Sequence, residues 1–192
     1  EGRFKKVLFD NEMLKSTRVF SISKLKNSIK IIDSFIYNTE DKLIILTSIG
    51  RIFKFNLSNK VLTPTTKQSQ GILLVNLLPN EKIVSCCKSK DKNSIYLISK
   101  KAKVFKVNID DIYNAHNAKL GYINEKIELK NDSFVKILPN NQYIDIETNK
   151  NRSARLNFEK LTCSHNKNIV KIDFFDLDDD EYLENCFRLE SF

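Results

Sequence analysis

Glycine and proline are scarce, at 4 and 3 in 192 residues, and tryptophan is absent. Turns must therefore be built largely from Asn, Asp, Lys and Ser. No apolar run approaches the roughly 20 residues that a spanning helix needs, and no signal-peptide pattern opens the sequence, so no membrane partner is expected. The 4 cysteines lack the paired spacing of a disulfide scaffold, since Cys86 and Cys87 are adjacent while Cys163 and Cys186 stand apart. A reducing compartment is the expectation. Cys163 with His165 offers one ligand pair where zinc needs four ligands, so no metal is expected. His116 and His165 have no sequence neighbour suited to acid or base chemistry. With no Ser, His and Asp cluster, no phosphate-cradling Gly-rich loop and no paired carboxylates, no catalytic residue is assigned.

What the chain has in quantity is β-forming apolar residues and positive charge. Apolar residues make up 41% and include 13 Phe, which suffices for one domain with a real core. The 32 Lys and Arg exceed the 24 Asp and Glu, giving a net charge of +8. The excess is uneven: Asp173 to Phe192 holds eight acids and one base, so residues 1–172 carry a net +15. A body that basic attracts a polyanion, most often nucleic acid. An AT-biased gene, which the abundant Asn, Lys and Ile also suggest, would inflate lysine without any ligand.

Laid against itself at spacings near fifty residues, the chain repeats. LIILTSIGRIFKF (Leu43 to Phe55) falls on IYLISKKAKVFKV (Ile95 to Val107) at a shift of 52. GRFKKV, from Gly2, and RSARL, from Arg152, fall on the same element at shifts of 48 and 101. A second element, IIDSFIYN, LLPNEKIVS and ELKNDSFVK, aligns Asp33, Glu81 and Asp132, and DDDEYLEN from Asp178 follows it more loosely. Short Val, Ile, Phe and Leu runs bounded by Asn, Asp, Lys or Gly read as strands. About four strands per fifty residues is the pattern of a propeller-like blade. One short helix is expected around Ile109 to Ala118, with Asp110 and Asp111 as caps.

Alternation along the repeated strand puts Phe53, Phe55 and Leu57 on one face, assigned to the core, and Ile52, Lys54 and Asn56 on the other. The outward position is basic in every copy: Lys6, Lys54, Lys106 and Arg155. A second basic column, Arg3, Arg51, Lys103 and Arg152, stands three residues earlier. Stacked blades would make these columns a band for phosphates; a solvated outer face would carry the same charges. The acidic run Asp176, Asp178, Asp179, Asp180 and Glu181 reads as a hairpin turn of the last blade, because Tyr182, Leu183 and Phe187 resume a strand pattern.

Thr47 to Phe55, followed by Gly71 to Ser85, resembles the C-terminal domain of DNA gyrase A, in which T-x-x-G-R-v-y leads into G-x-p-i-v-N-L-L-p-x-E-x-I. Val75, Asn76, Leu77, Leu78, Pro79, Glu81 and Ile83 carry the match, and the blade repeats extend it over most of the chain. The resemblance implies an all-β fold: a β-pinwheel of about four blades of four-stranded antiparallel sheet, forming an open arc. The single domain 1–192 would divide into blades near 1–40, 41–92, 93–140 and 141–192. Where that family carries the glycine-rich box Q-R-R-G-G-K-G, this chain has Lys15, Ser16, Thr17, Arg18, Val19, Phe20 and Ser21. Two bases survive there and every glycine is gone.

Function follows from the resemblance as an expectation. The domain would bind and wrap double-stranded DNA and present it to the strand-passage gate of a gyrase holoenzyme, whose catalytic Tyr lies in an upstream domain. Its partners would be gyrase B and the rest of gyrase A in an A2B2 complex. It would need no cofactor of its own; ATP and Mg belong to the holoenzyme. The expected DNA contacts are Arg3, Lys6, Lys15, Arg18, Arg51, Lys54, Lys67, Lys100, Lys101, Lys103, Lys106, Arg152 and Arg155. The lost glycines leave open a topoisomerase IV-like domain that bends DNA without full wrapping, and a propeller scaffold for protein partners competes from outside the family. An AT-biased gyrase gene points to the plastid (apicoplast) of an apicomplexan, otherwise to a bacterial cytoplasm, and any transit peptide would precede the catalytic domain.

Overall fold

The computed structural model describes residues 2–8, 15, 29–58, 62–66, 69–90, 94–115, 129–139, 143–157, 172–173 and 176–188. Among these residues lie β1 (Arg3–Phe4), β2 (Lys42–Thr47), β3 (Ile52–Asn56), β4 (Ile72–Leu73), β5 (Ile83–Ser89), β6 (Ser94–Ser99), β7 (Lys103–Asn108), β8 (Phe134–Pro139), β9 (Tyr143–Thr148), β10 (Ser153–Asn157), β11 (Ile172–Asp173) and β12 (Leu183–Arg188). They form four antiparallel sheets, ordered β1-β4, β3-β2-β5, β11-β7-β6-β8 and β10-β9-β12. One is four-stranded; the others show two or three strands among the described residues.

Each of the last three sheets repeats one plan. A hairpin (β2–β3, β6–β7, β9–β10) takes a later strand (β5, β8, β12) along its first member. The hairpin turn needs one left-handed residue, supplied by Gly50 (φ 87°), Ala102 (φ 55°) and Asn151 (φ 59°). Gly2 (φ 70°) holds the same place before β1. Glycine fills this position twice; Asn, which tolerates it, and Ala, which is strained there, fill it once each.

Between neighbouring sheets a strand crosses over. β4 lies beyond the hairpin of the second sheet yet pairs with β1, and β11 lies beyond the hairpin of the fourth sheet yet pairs with β7. Gly71 makes the first crossover possible: it sits at φ +77°, and a Cβ there would lie 2.2 Å from the carbonyl oxygen of Phe4. Gly71→Ala is expected to cost about 1–3 kcal/mol of local stability. Amide exchange should quicken at Phe4 and Leu73 while β2, β3 and β5 stay protected; unchanged protection at Phe4 would contradict the role.

Three buried clusters fill the spaces between successive sheets. Phe4, Ile72, Leu74 and Val75 meet Leu43, Ile45, Phe53 and Phe55. Ile44, Leu46, Ile52 and Cys87 meet Ile95, Leu97, Phe105, Val107, Phe134 and Ile137, with Phe105 edge-on to Phe134 at 5.7 Å. Tyr96, Ile98, Val104 and Leu138 meet Ile144, Ile146, Leu183 and Cys186. The second and third sheets therefore bury both faces, which corrects the expectation of one core face: Ile52 is as buried as Phe53. Of the helix expected over Ile109 to Ala118, the described residues 109–115 form one 3₁₀ turn, Ile109–Asp111, with Asn108 at its N-cap, and positions 116–118 lie outside the described residues. Ile109 and Ile112 are drawn into the core, and Asn114 bridges to Lys54, so the segment spends its backbone groups between sheets rather than along a helix.

Candidate nucleic-acid interface

The repeat fixes an ion-pair clamp at the turn end of each of the last three sheets. In the second, Arg51 grips Glu81 through Nε (2.8 Å) and Nη2 and also donates to the Asn76 carbonyl at 2.7 Å. Glu81 accepts the Leu78 N–H at 2.7 Å, and its side chain is fully buried. In the fourth, Arg152 grips Glu181 at 2.7 and 2.5 Å and donates to the Asp176 carbonyl, while Thr148 donates to Glu181 at 2.6 Å. The third has shorter members: Lys103 stands 3.9 Å from Asp132, whose Oδ2 lacks a hydrogen bond. Burial alone would raise the Glu81 carboxyl, but hydrogen bonds from Arg51, the Leu78 N–H and Thr47 hold it below its ordinary value. The Arg152 hydrogen bond, against burial, pulls Glu181 down to about 2.

Two members of the other basic column, Lys6 and Lys54, join one sheet to the next. Lys6 Nζ donates to the Leu57 carbonyl at 3.4 Å and lies 5.0 Å from the centre of the Tyr37 ring. Lys54 Nζ donates to the Ile109 carbonyl at 2.9 Å. Leu57 and Ile109 occupy equivalent repeat positions, so these two lysines form one recurring staple. The placement corrects the outward orientation expected for Lys6, Arg51 and Lys54, all of which are buried. Alternation separates inside from outside only in a sheet with one wet face, and these residues lie in blades covered on both sides.

Of the remaining sequence-predicted contacts, Lys103 and Lys106 are half-buried. Arg3, Lys15, Lys100, Lys101, Arg152 and Arg155 are exposed, with Lys15 in helical conformation. Arg3 donates to the Gly71 carbonyl at 3.3 Å, and Arg155 makes two hydrogen bonds to Asp145, at 2.8 and 3.0 Å. Arg18 and Lys67 lie outside the described residues, as do the box positions 16–21, His116, Cys163 and His165. Among the described residues no group of three His, Cys, Asp or Glu is placed to hold a metal.

Lys90 is exposed past the opposite end of β5, while Lys82, Lys100, Lys101, Lys130 and Lys150 are exposed at the turn end of the sheets. Hairpin turns there are tied to the turns entering the third strands: Ser48 N–H to Lys82 O (2.8 Å), Lys100 N–H to Ser133 O (2.8 Å) and Asn149 N–H to Tyr182 O (3.1 Å). Adjacent sheets also touch at this end, since Gly50 faces the Phe134 ring and Lys100 lies 4.9 Å from the centre of the Tyr182 ring. Lys82, Lys100, Lys101 and Lys130 are exposed along this rim of the second and third sheets. Lys82 and Lys130 are absent from the sequence-based set; their signal was a place within two residues of Glu81 and Asp132 in the second repeated element. On the fourth sheet the rim turns acidic, with Asp178 and Asp180 gathered around Lys150. That acidic run is the hairpin-like turn entering β12.

No protein-family model and no curated protein matches the chain. Solved structures do. The C-terminal domain of a DNA topoisomerase IV superposes with a TM-score of 0.70 at 18% identity, over 85% of this chain and 51% of that one. The DNA gyrase A C-terminal domain gives 0.53 at 23% identity, over 64% and 40%, and the E. coli ParC C-terminal domain 0.50 at 14%, over 78% and 62%. The chain thus spans about half the length of the topoisomerase IV domain and less of the gyrase domain. Its stacked antiparallel blades are those of a β-pinwheel, the fold of the C-terminal domains of topoisomerase IV and DNA gyrase A.

Proposed function

We propose that this domain binds duplex DNA as the C-terminal domain of a type IIA topoisomerase, holding the duplex in a curve along its lysine rim. The observation that carries the reading is the run of exposed lysines, Lys82, Lys100, Lys101 and Lys130, on one edge of consecutive blades. Each ammonium that meets a phosphate releases a counterion, and a curved set of such contacts offsets the roughly 1–6 kcal/mol needed to bend 20–30 base pairs. Phosphate contacts position a duplex without reading its bases, so sequence preference should be weak. Catalysis, ATP and Mg would belong to the rest of an A2B2 holoenzyme, with gyrase B as partner, in an apicoplast or a bacterial cytoplasm.

Within that reading the sharper assignment is a gyrase domain that wraps DNA with fixed handedness. The absence of glycine from residues 15–21 favours a second reading, topoisomerase IV-like bending, because Val19 and Phe20 hinder the close backbone approach that glycine allows. Nicked circular DNA sealed with ligase in the presence of the domain separates the two. A progressive positive linking-number shift supports wrapping, and binding without a shift supports bending. The triple variant Lys82→Glu, Lys101→Glu, Lys130→Glu should weaken binding at least about tenfold and flatten the log–log salt dependence by roughly 0.9 per lost phosphate contact. No DNA binding by the parent protein at low salt, or full binding by the variant, would overturn the rim assignment.

A further inference from the structure

The fourth sheet repeats the hairpin register of the second and third, yet its outward face does not repeat their chemistry. On β2, Ile44 and Leu46 face the third sheet; on β6, Tyr96 and Ile98 face the fourth. The same register positions on β9 are Asp145 and Glu147. On the partner strands, Ile52 and Val104 correspond to Ser153 of β10. On the third strands, Cys87 and Leu138 are buried, whereas Phe187, opposite Asp145 on β12, is 53% exposed. The inward face keeps the apolar pattern: Ile144, Ile146, Leu183 and Cys186 are all buried against the third sheet. Three hairpin positions that are apolar in the earlier sheets are thus polar or charged on this face, which keeps Tyr143 and Phe187 as exposed aromatics, while the inward face is intact.

The polar groups on this face also satisfy one another. Arg155, at the position where Lys54 reaches across to the next sheet, instead turns along its own sheet and bonds both oxygens of Asp145. Asn185 donates to Glu147 at 3.0 Å. The Arg155 hydrogen bonds hold the Asp145 carboxyl below its ordinary value, against a smaller opposing effect of burial. A repeat array whose units bury a face against the next unit needs an end unit with a polar outer face to stay soluble.

We propose that the outer face of the fourth sheet is the terminal cap of the blade array, turned to water rather than packed against the first sheet or another blade. The array then has an end here, whatever else the polypeptide carries. This inference does not depend on DNA binding. It is tested by thiol labelling of Ser153→Cys, and independently of Asn185→Cys, with maleimide and peptide-level mass spectrometry on the folded protein. Native Cys87, buried on the corresponding face of the second sheet, is the internal control. The introduced thiols should label at nearly the rate seen in urea, with Cys87 slower by at least about 100-fold. Introduced thiols as protected as Cys87 in both variants would mean that another element covers the face, and would overturn the cap.

Discussion

Glu81→Ala should lower the unfolding free energy by about 3–5 kcal/mol at neutral pH, because it leaves the Arg51 guanidinium buried without its carboxylate. The Leu78 N–H would lose its acceptor as well. Urea denaturation read by tyrosine fluorescence gives the value, and a loss under about 1 kcal/mol would show that the clamp is not structural. Removing both charges, as in Arg51→Met with Glu81→Leu, should cost less than Glu81→Ala, since no buried charge is then stranded. The clamps also set the acid limit of the fold. Glu81 and Glu181 are held below their ordinary values in the folded chain. Their contribution is therefore complete above the unfolded carboxyl value, about 4.3, and is lost as pH falls toward the folded values, about 2 for Glu181. Wild-type stability should fall steeply between about pH 4.5 and 2, and Glu81→Ala should show a shallower fall.

The repeat and the strands were legible because both are one-dimensional patterns. T-S-I-G-R and its counterparts fix the left-handed turn residue, and the runs around Leu43 and Ile95 fix the strands. Even Glu181, in the loosest copy, lands where Glu81 does and takes the same role. Residues 31–37, which resemble the second element, form no described strand, and Asp33 bonds only the neighbouring Ser34 N–H among the bonds described for it. What alternation could not give was the meaning of a basic residue on a blade. Arg51 and Arg152 share a column, yet one is buried and the other exposed, because the fourth sheet is covered on one side and the second on both. The number of neighbours a sheet has is a property of the array, which no single repeat encodes. Lys100 and Lys101 of the rim were named from sequence, but Lys82 and Lys130 were hidden for a related reason: they sit in turns that vary between copies, with Ser133 and Asp179 at the corresponding places.

Lys54→Glu should be among the most damaging single changes in the basic columns, and its damage should be to the fold before it is to any DNA contact. The Lys54 ammonium is buried and faces the Ile109 carbonyl, so a carboxylate there meets an acceptor with no compensating donor. The expected cost is roughly 3 kcal/mol or more, since an unpaired buried charge is among the few single changes that reach this size. Lys54→Met, which keeps the length of the stem but leaves the Ile109 carbonyl without its donor, should cost about 1–3 kcal/mol. Lys101→Glu lies on the exposed rim and should change stability by less than about 0.5 kcal/mol. Urea midpoints and DNA titrations on the same three variants separate the roles. Lys54→Met, assayed where it is fully folded, should bind DNA like the parent, while Lys101→Glu should bind more weakly at unchanged stability. If Lys54→Met were as stable as the parent and lost DNA binding, Lys54 would be a phosphate contact after all. The inter-sheet staple would then be incidental to the fold, and the outward band of four basic residues would regain its place in the mechanism.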